Sequence, residues 1–170
     1  GMMEWKLTLK PGHYEPMALE IPIKASEGRL MNACIDNIRC NYCGFVPKGK
    51  GSVWNGTMAE GRNGLLGDYV PYIWIGGALR GIAVFGENDK GWVLGGGVHC
   101  QEIVRENDGT VVLRLNLIQK SCDITEARTI RIGFQATPVK PMQENWRGKD
   151  IGTLMGSCPY FGGFGDGIEP

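Results

Sequence analysis

No run of apolar residues in this chain approaches the roughly 18 that a membrane-spanning helix requires. No segment carries helical periodicity beyond two turns either. Neither sign of charge is in excess, since 18 basic and 18 acidic residues cancel. That balance removes the basic surface expected of a nucleic-acid binder, so neither nucleic acid nor a membrane is expected as a partner. Histidine is scarce, with His13 and His99 the only two. A Ser-His-Asp triad would need one of them, and no Gly-x-Ser-x-Gly elbow is present to carry its serine. Gly95-Gly96-Gly97 lacks the lysine and following helix of a phosphate loop. No signal peptide is visible, but Gly1 ahead of Met2 reads as the scar of a removed tag. Location therefore stays open, periplasmic or secreted included.

What the chain does have is glycine, 27 in 170 residues and dispersed, which reads as many tight turns between short strands. The length suits one domain with a real core. Residues 4–10 alternate, placing Trp5, Leu7 and Leu9 on one side and Lys6 and Thr8 on the other, until Pro11-Gly12. Leu19, Ile21 and Ile23 fall in phase, and Pro22 among them marks a sheet edge or bulge. Residues 72–75 are apolar on both faces and read as a central strand, returning antiparallel through 80–86. Residues 98–105 and 110–119 flank Asp108-Gly109, a hairpin signal because glycine reaches positive φ without steric cost. On its second strand Val111, Leu113, Leu115 and Leu117 face one way, Arg114 and Asn116 the other. Ile130, Ile132 and Phe134 define a further strand, and Asp123 to Arg128 holds at most one helical turn. The glycine- and lysine-rich stretch 41–69 reads as a long loop. These elements predict an all-β, antiparallel β-sandwich over 1–147, with 148–170 an irregular C-terminal tail or linker.

Candidate chemistry is sparse. Cys40-Asn41-Tyr42-Cys43-Gly44 is the sharpest motif, because two thiolates three residues apart can converge on zinc. Cys34 is the candidate third ligand, and His13 or Cys122 a fourth. A lone CxxC without a second pair does not define a site, so no metal or other cofactor is assigned. Cys100 falls in phase with Val98 and Val104, a core position. Glu87 and Asp89 are close enough in sequence to suggest the carboxylate pair of a glycosidase, but Glu87-Asn88-Asp89-Lys90-Gly91 is also the composition of a β-turn. The turn is the expected reading, with Asp89 bonding backbone N–H groups and Trp92 beginning the next strand, packed on the sandwich. Indole rings stack on the apolar faces of sugars. Trp54 and Trp146 lie in polar, irregular chain and are the carbohydrate-contact candidates, whereas Trp74, between Ile73 and Ile75, is expected to be buried.

Pro71-Tyr72-Ile73-Trp74-Ile75-Gly76, then Arg80-Gly81-Ile82 and Phe85 to Trp92, Val112 to Ile118, Arg128-Thr129-Ile130 and Gln135 to Pro141 follow in an order that resembles a known group. It resembles the N-terminal, non-catalytic β-sandwich region of large bacterial glycoside-hydrolase-like proteins, a domain-of-unknown-function group related to glycoside hydrolase family 123. The resemblance spans roughly residues 70–147. It implies a sandwich, with the galactose-mutarotase-like or supersandwich type among the arrangements open to it, preceding a catalytic barrel that carries the carboxylates. The chain alone is then not an enzyme, and its partners are the downstream catalytic domain of the same polypeptide and glycans. No catalytic residue transfers to this chain. An autonomous carbohydrate-binding module and a zinc-binding interaction domain are the alternatives.

Overall fold

The computed structural model describes residues 2–34, 42–58 and 69–138. The tail, the 147/148 boundary, Cys40 and Trp146 lie outside these residues.

Alternation decides the architecture. Strand β1 (Met2–Leu9) pairs with β12 (Arg128–Thr137) without a break, from Met2 opposite Gln135 to Leu9 opposite Arg128. β12 continues to β8 (Gly81–Phe85), β7 (Tyr72–Gly76), β4 (Leu30–Cys34) and β5 (Tyr42–Phe45), giving a six-stranded antiparallel sheet. A second antiparallel sheet runs β3 (Met17–Ile23), β10 (Val111–Ile118), β9 (Gln101–Arg105) and β6 (Gly51–Asn55). Short strands β2 (Gly12–Tyr14) and β11 (Cys122–Ile124) form a separate pair. The only helical element among the described residues is a 3-10 turn, Gly56–Met58. The chain is an all-β sandwich.

Its core forms between the two sheets. Val111, Leu113, Leu115 and Leu117 are buried on β10, as their phase predicts, and meet Met31, Ile73, Ile75, Val84 and Ile130 of the larger sheet in one apolar cluster. The β9–β10 hairpin closes as its Asp-Gly signal predicts. Gly109 sits at φ 89°, and the Asp108 carboxylate accepts the Thr110 N–H at 2.8 Å. Strand β3 occupies a sheet edge, where Pro22 removes no ladder hydrogen bond from a central strand.

Several expectations need correction. Residues 41–69 are not one loop, because β5 and β6 both lie within them. Strand β5 pairs with β4 and β6 with β9, pairings that local composition cannot show. Asp123 belongs to β11 and not to a helical turn. Strand β9 begins at Gln101, so Val98 is exposed while Cys100 is buried. The 87–92 segment is a turn, but Asn88 and not Asp89 supplies the side-chain acceptor, taking the Lys90 N–H at 3.0 Å. Asp89 contributes its main-chain carbonyl, which accepts the Trp92 N–H at 3.1 Å. Trp92 is buried against Tyr69, edge to face at 5.6 Å. It opens no strand; only the next residue, Val93, bridges to Ile118.

Two substitutions test this packing. Leu115→Ala should cost about 2–5 kcal/mol in urea unfolding, the range for a buried leucine in a tight core. Gly91 holds φ 90°, and a Cβ there would stand 2.8 Å from the Thr129 carbonyl oxygen. Gly91→Val should therefore destabilise by at least ~1–3 kcal/mol. Asp89→Asn should stay within about 0.5 kcal/mol of wild type, because the turn uses its backbone.

Candidate functional site

Because opposite residues of an antiparallel ladder point to the same side, the registers define the outer face of the six-stranded sheet row by row. One row reads Gly133, Phe85, Tyr72, Cys34. The next is Gln135, Ala83, Trp74, Asn32, Cys43, and the third Thr137, Gly81, Gly76, Leu30, Phe45. The intervening residues Ile73, Ile75, Met31, Ala33 and Val84 are the ones buried against the second sheet. Trp74 therefore points outward and is half-buried, contrary to the expectation drawn from its isoleucine neighbours.

The position of the Trp74 ring has a defined cause. A Cβ on Gly81 would stand 2.5 Å from its Cζ2, and one on Gly76 2.6 Å from the same atom. The indole occupies the space above two glycines, and any larger residue at either position would displace it. Its Nε1–H donates to Thr137 Oγ1 at 2.9 Å, which fixes the rotation of the ring. Phe85 lies in the same way above Gly133, whose Cβ would stand 2.5 Å from the phenyl Cζ. Two rings are thus seated on glycine with the sheet beneath them. Leu30 and the exposed Phe45 continue an apolar strip diagonally from β8 to β5. At about 4.8 Å per strand the strip crosses roughly 14 Å. Asn32, Gln135 and Thr137 supply neutral hydrogen-bonding groups beside it.

A cleft lies at each end. One, of about 580 Å³, is lined by Phe85, Glu87, Asn88, Lys90, Thr129 and Arg131 among others. Arg131 donates to Glu4 at 2.9 Å, so that carboxylate is engaged in an ion pair. The other, of about 590 Å³, is lined by Leu30, Phe45, Leu79 and Arg80 and crossed by the Arg80–Glu27 ion pair at 2.7 Å. The hydrogen bond from Arg80 holds the Glu27 carboxyl below its ordinary range.

The residues singled out from sequence fare differently. Trp54 has no exposed surface; it lies in the core on β6 with Tyr42 edge-on at 6.1 Å, so it cannot contact a sugar. The polar residues around it belong to an edge strand whose inward side is apolar, which the segment's composition conceals. Trp146 and Cys40 fall outside the described residues. Cys34 and Cys43 lie on the outer face of β4 and β5, where Cys34 Sγ donates to Asn32 Oδ1 at 3.5 Å. Among the described residues no group of three or more His, Cys, Asp or Glu side chains is placed to hold a metal. His13, considered as a fourth ligand, lies on β2 between two carboxylates, Asp123 at 2.9 Å and Glu15 at 3.2 Å. Tyr72 and Trp74 are among the aromatics that the sequence offers for stacking, but Trp74 is set aside there as buried, and Phe85 is not singled out. Their signal was present in Tyr72-Ile73-Trp74-Ile75, where aromatic and aliphatic residues alternate and so must part to opposite faces. Comparison with family models, curated proteins and solved structures returns no match, so the supersandwich form is not assigned.

The His13 cluster yields a pH prediction. Hydrogen bonds first to Asp123 and then to Glu15 raise the His13 pKa above 6.5. Its support of the β2–β11 pair is complete below pH 6.5 and is lost as the pH rises through the folded value. Glu15 runs the other way. Held below 4.5 by Ser121 and then by His13, it contributes above pH 4.5 and loses that contribution as the pH falls through its folded value. An NMR titration of the His13 ring should give a midpoint above 6.5, lowered in Asp123→Asn.

Proposed function

We propose that this chain is a non-catalytic β-sandwich module that holds a glycan against an aromatic sheet face. In this reading it is the accessory domain of a bacterial glycoside-hydrolase-like protein whose catalytic barrel lies outside the chain. One observation carries the glycan part: Trp74 sits over Gly76 and Gly81 and is locked by Thr137, so the far side of the indole is presented in a fixed orientation. A ring held this way loses little freedom when a sugar stacks on it, and preorganisation is what makes such contacts favourable. The strip continues through Phe85, Leu30 and Phe45 with neutral amides alongside, which suits a short oligosaccharide segment more than one sugar ring. The accessory part rests on the resemblance across residues 70–147. It is consistent with the carboxylates beside the cleft: Glu4 is tied to Arg131, and the segment holding Glu87 and Asp89 is a turn.

The test is affinity electrophoresis of the purified chain in gels containing soluble neutral polysaccharides. Wild type should be retarded by at least one of them. Trp74→Ala should weaken that binding about tenfold or more, since losing a stacked ring removes on the order of 1.5–3 kcal/mol of apolar burial. The variant should keep its strand-rich circular dichroism. Reducing-end assays should show no hydrolysis above background, and the coding sequence beyond Pro170 should continue into a barrel domain. Hydrolysis that disappears in Glu87→Gln would overturn the non-catalytic reading. A gene ending near Pro170 would remove the accessory reading while leaving the glycan face to stand on its own.

A further inference from the structure

Among the described residues the two sheets have four edge strands, and three of these are interrupted or short. Strand β3 carries Pro22 and a register shift against β10. Strand β6 has a register shift between Ser52 and Trp54, and β5 is only four residues long. Such features keep an edge from pairing with another chain. Strand β1 has none of them. It runs eight residues in unbroken register with β12, contains no proline, and among the described residues nothing pairs with its other side. Met2 and Met3 near its start are 67% and 62% exposed.

We infer that β1 is a self-association edge, and that two copies of the chain join antiparallel through it into one continuous sheet. The outward charges choose the register. Glu4, Lys6 and Thr8 share the outer face, and Lys6 stands directly opposite Arg131 of β12, a like charge. Arg131 is itself satisfied by Glu4 at 2.9 Å, while Lys6 has no ion pair among the described residues. A twofold axis normal to the sheet through Trp5 places Met2 opposite Thr8, Met3 opposite Leu7 and Glu4 opposite Lys6 of the second copy. Each Lys6 then meets a carboxylate, twice per dimer. Moving the axis by one residue either way sets Glu4 against Glu4 or Lys6 against Lys6, and like charges directly opposite are destabilising in a sheet. Moving it by half a residue would set outward side chains opposite inward ones, which the pleat does not allow. Because the axis is normal to the sheet, the aromatic faces of both copies lie on the same side. A glycan long enough to span them would engage two platforms at once.

Sedimentation velocity over a concentration series tests this. Wild type should dimerise with rising concentration. Glu4→Lys and Lys6→Glu should each weaken association about tenfold or more, because each turns two attractive pairs into two repulsive ones. An equimolar mixture of the two variants should associate again, since the two lysines on the edge of one then face the two glutamates on the edge of the other. Lys6→Glu keeps the test informative if Glu4→Lys folds poorly, because it replaces a like-charge neighbour of Arg131 by an opposite one. A wild type that stays monomeric at several hundred micromolar, variants that associate as wild type does, or a mixture that fails to associate would each overturn the inference.

Discussion

Ile73 and Ile75 have to face the second sheet, and in a strand that requirement sends Tyr72 and Trp74 the other way. Much of the molecule follows from this alternation. With Trp74 outward, the indole needs a surface to lie on, and glycine at 76 and 81 leaves that space open. With Phe85 opposite Tyr72, the phenyl ring needs the same concession from Gly133. The cost in strand propensity of three glycines in a six-stranded sheet is offset by rings packed above them. Gly76, Gly81 and Gly133 are therefore not turn residues, although dispersed glycine suggested turns throughout.

The parts of the fold legible from sequence were those whose partners are close along the chain. The β9–β10 hairpin was marked by Asp108-Gly109, the β7–β8 return by the shortness of the connection between residues 72–75 and 80–86, and the edge position of β3 by Pro22. The parts that were not legible depend on distant partners. Strand β6 is ordered by β9, about fifty residues later, and nothing in Gly51-Ser52-Val53-Trp54-Asn55 announces that Trp54 will be enclosed. Trp54 and Trp74 consequently exchanged roles. The tryptophan set in polar chain is core, and the one set among isoleucines lies on the surface. Side-chain phase relative to a buried face, and not local polarity, separates them.

Electrostatics in this chain act locally. With no net charge, the surface is organised by short-range pairs: Arg131 with Glu4 and Arg114 with Glu20 on the sheet faces, and Arg80 with Glu27 between two connecting loops. Exposed pairs of this kind contribute little to stability. Their effect is on geometry and specificity. They leave the centre of the aromatic face bordered by neutral Asn32, Gln135 and Thr137, and they leave Lys6 beside a like charge on the uninterrupted edge strand β1.

The account turns on whether the outer sheet face is the surface that meets a glycan. The most direct measurement is an NMR titration that follows the tryptophan indole N–H signals while a soluble neutral oligosaccharide is added. The account predicts that the Trp74 indole resonance shifts in a saturable way, together with the Phe85 ring, while that of Trp54, enclosed in the core, stays in place. A saturable shift that spared Trp74, or no shift in any indole across neutral oligosaccharides of differing linkage, would contradict it.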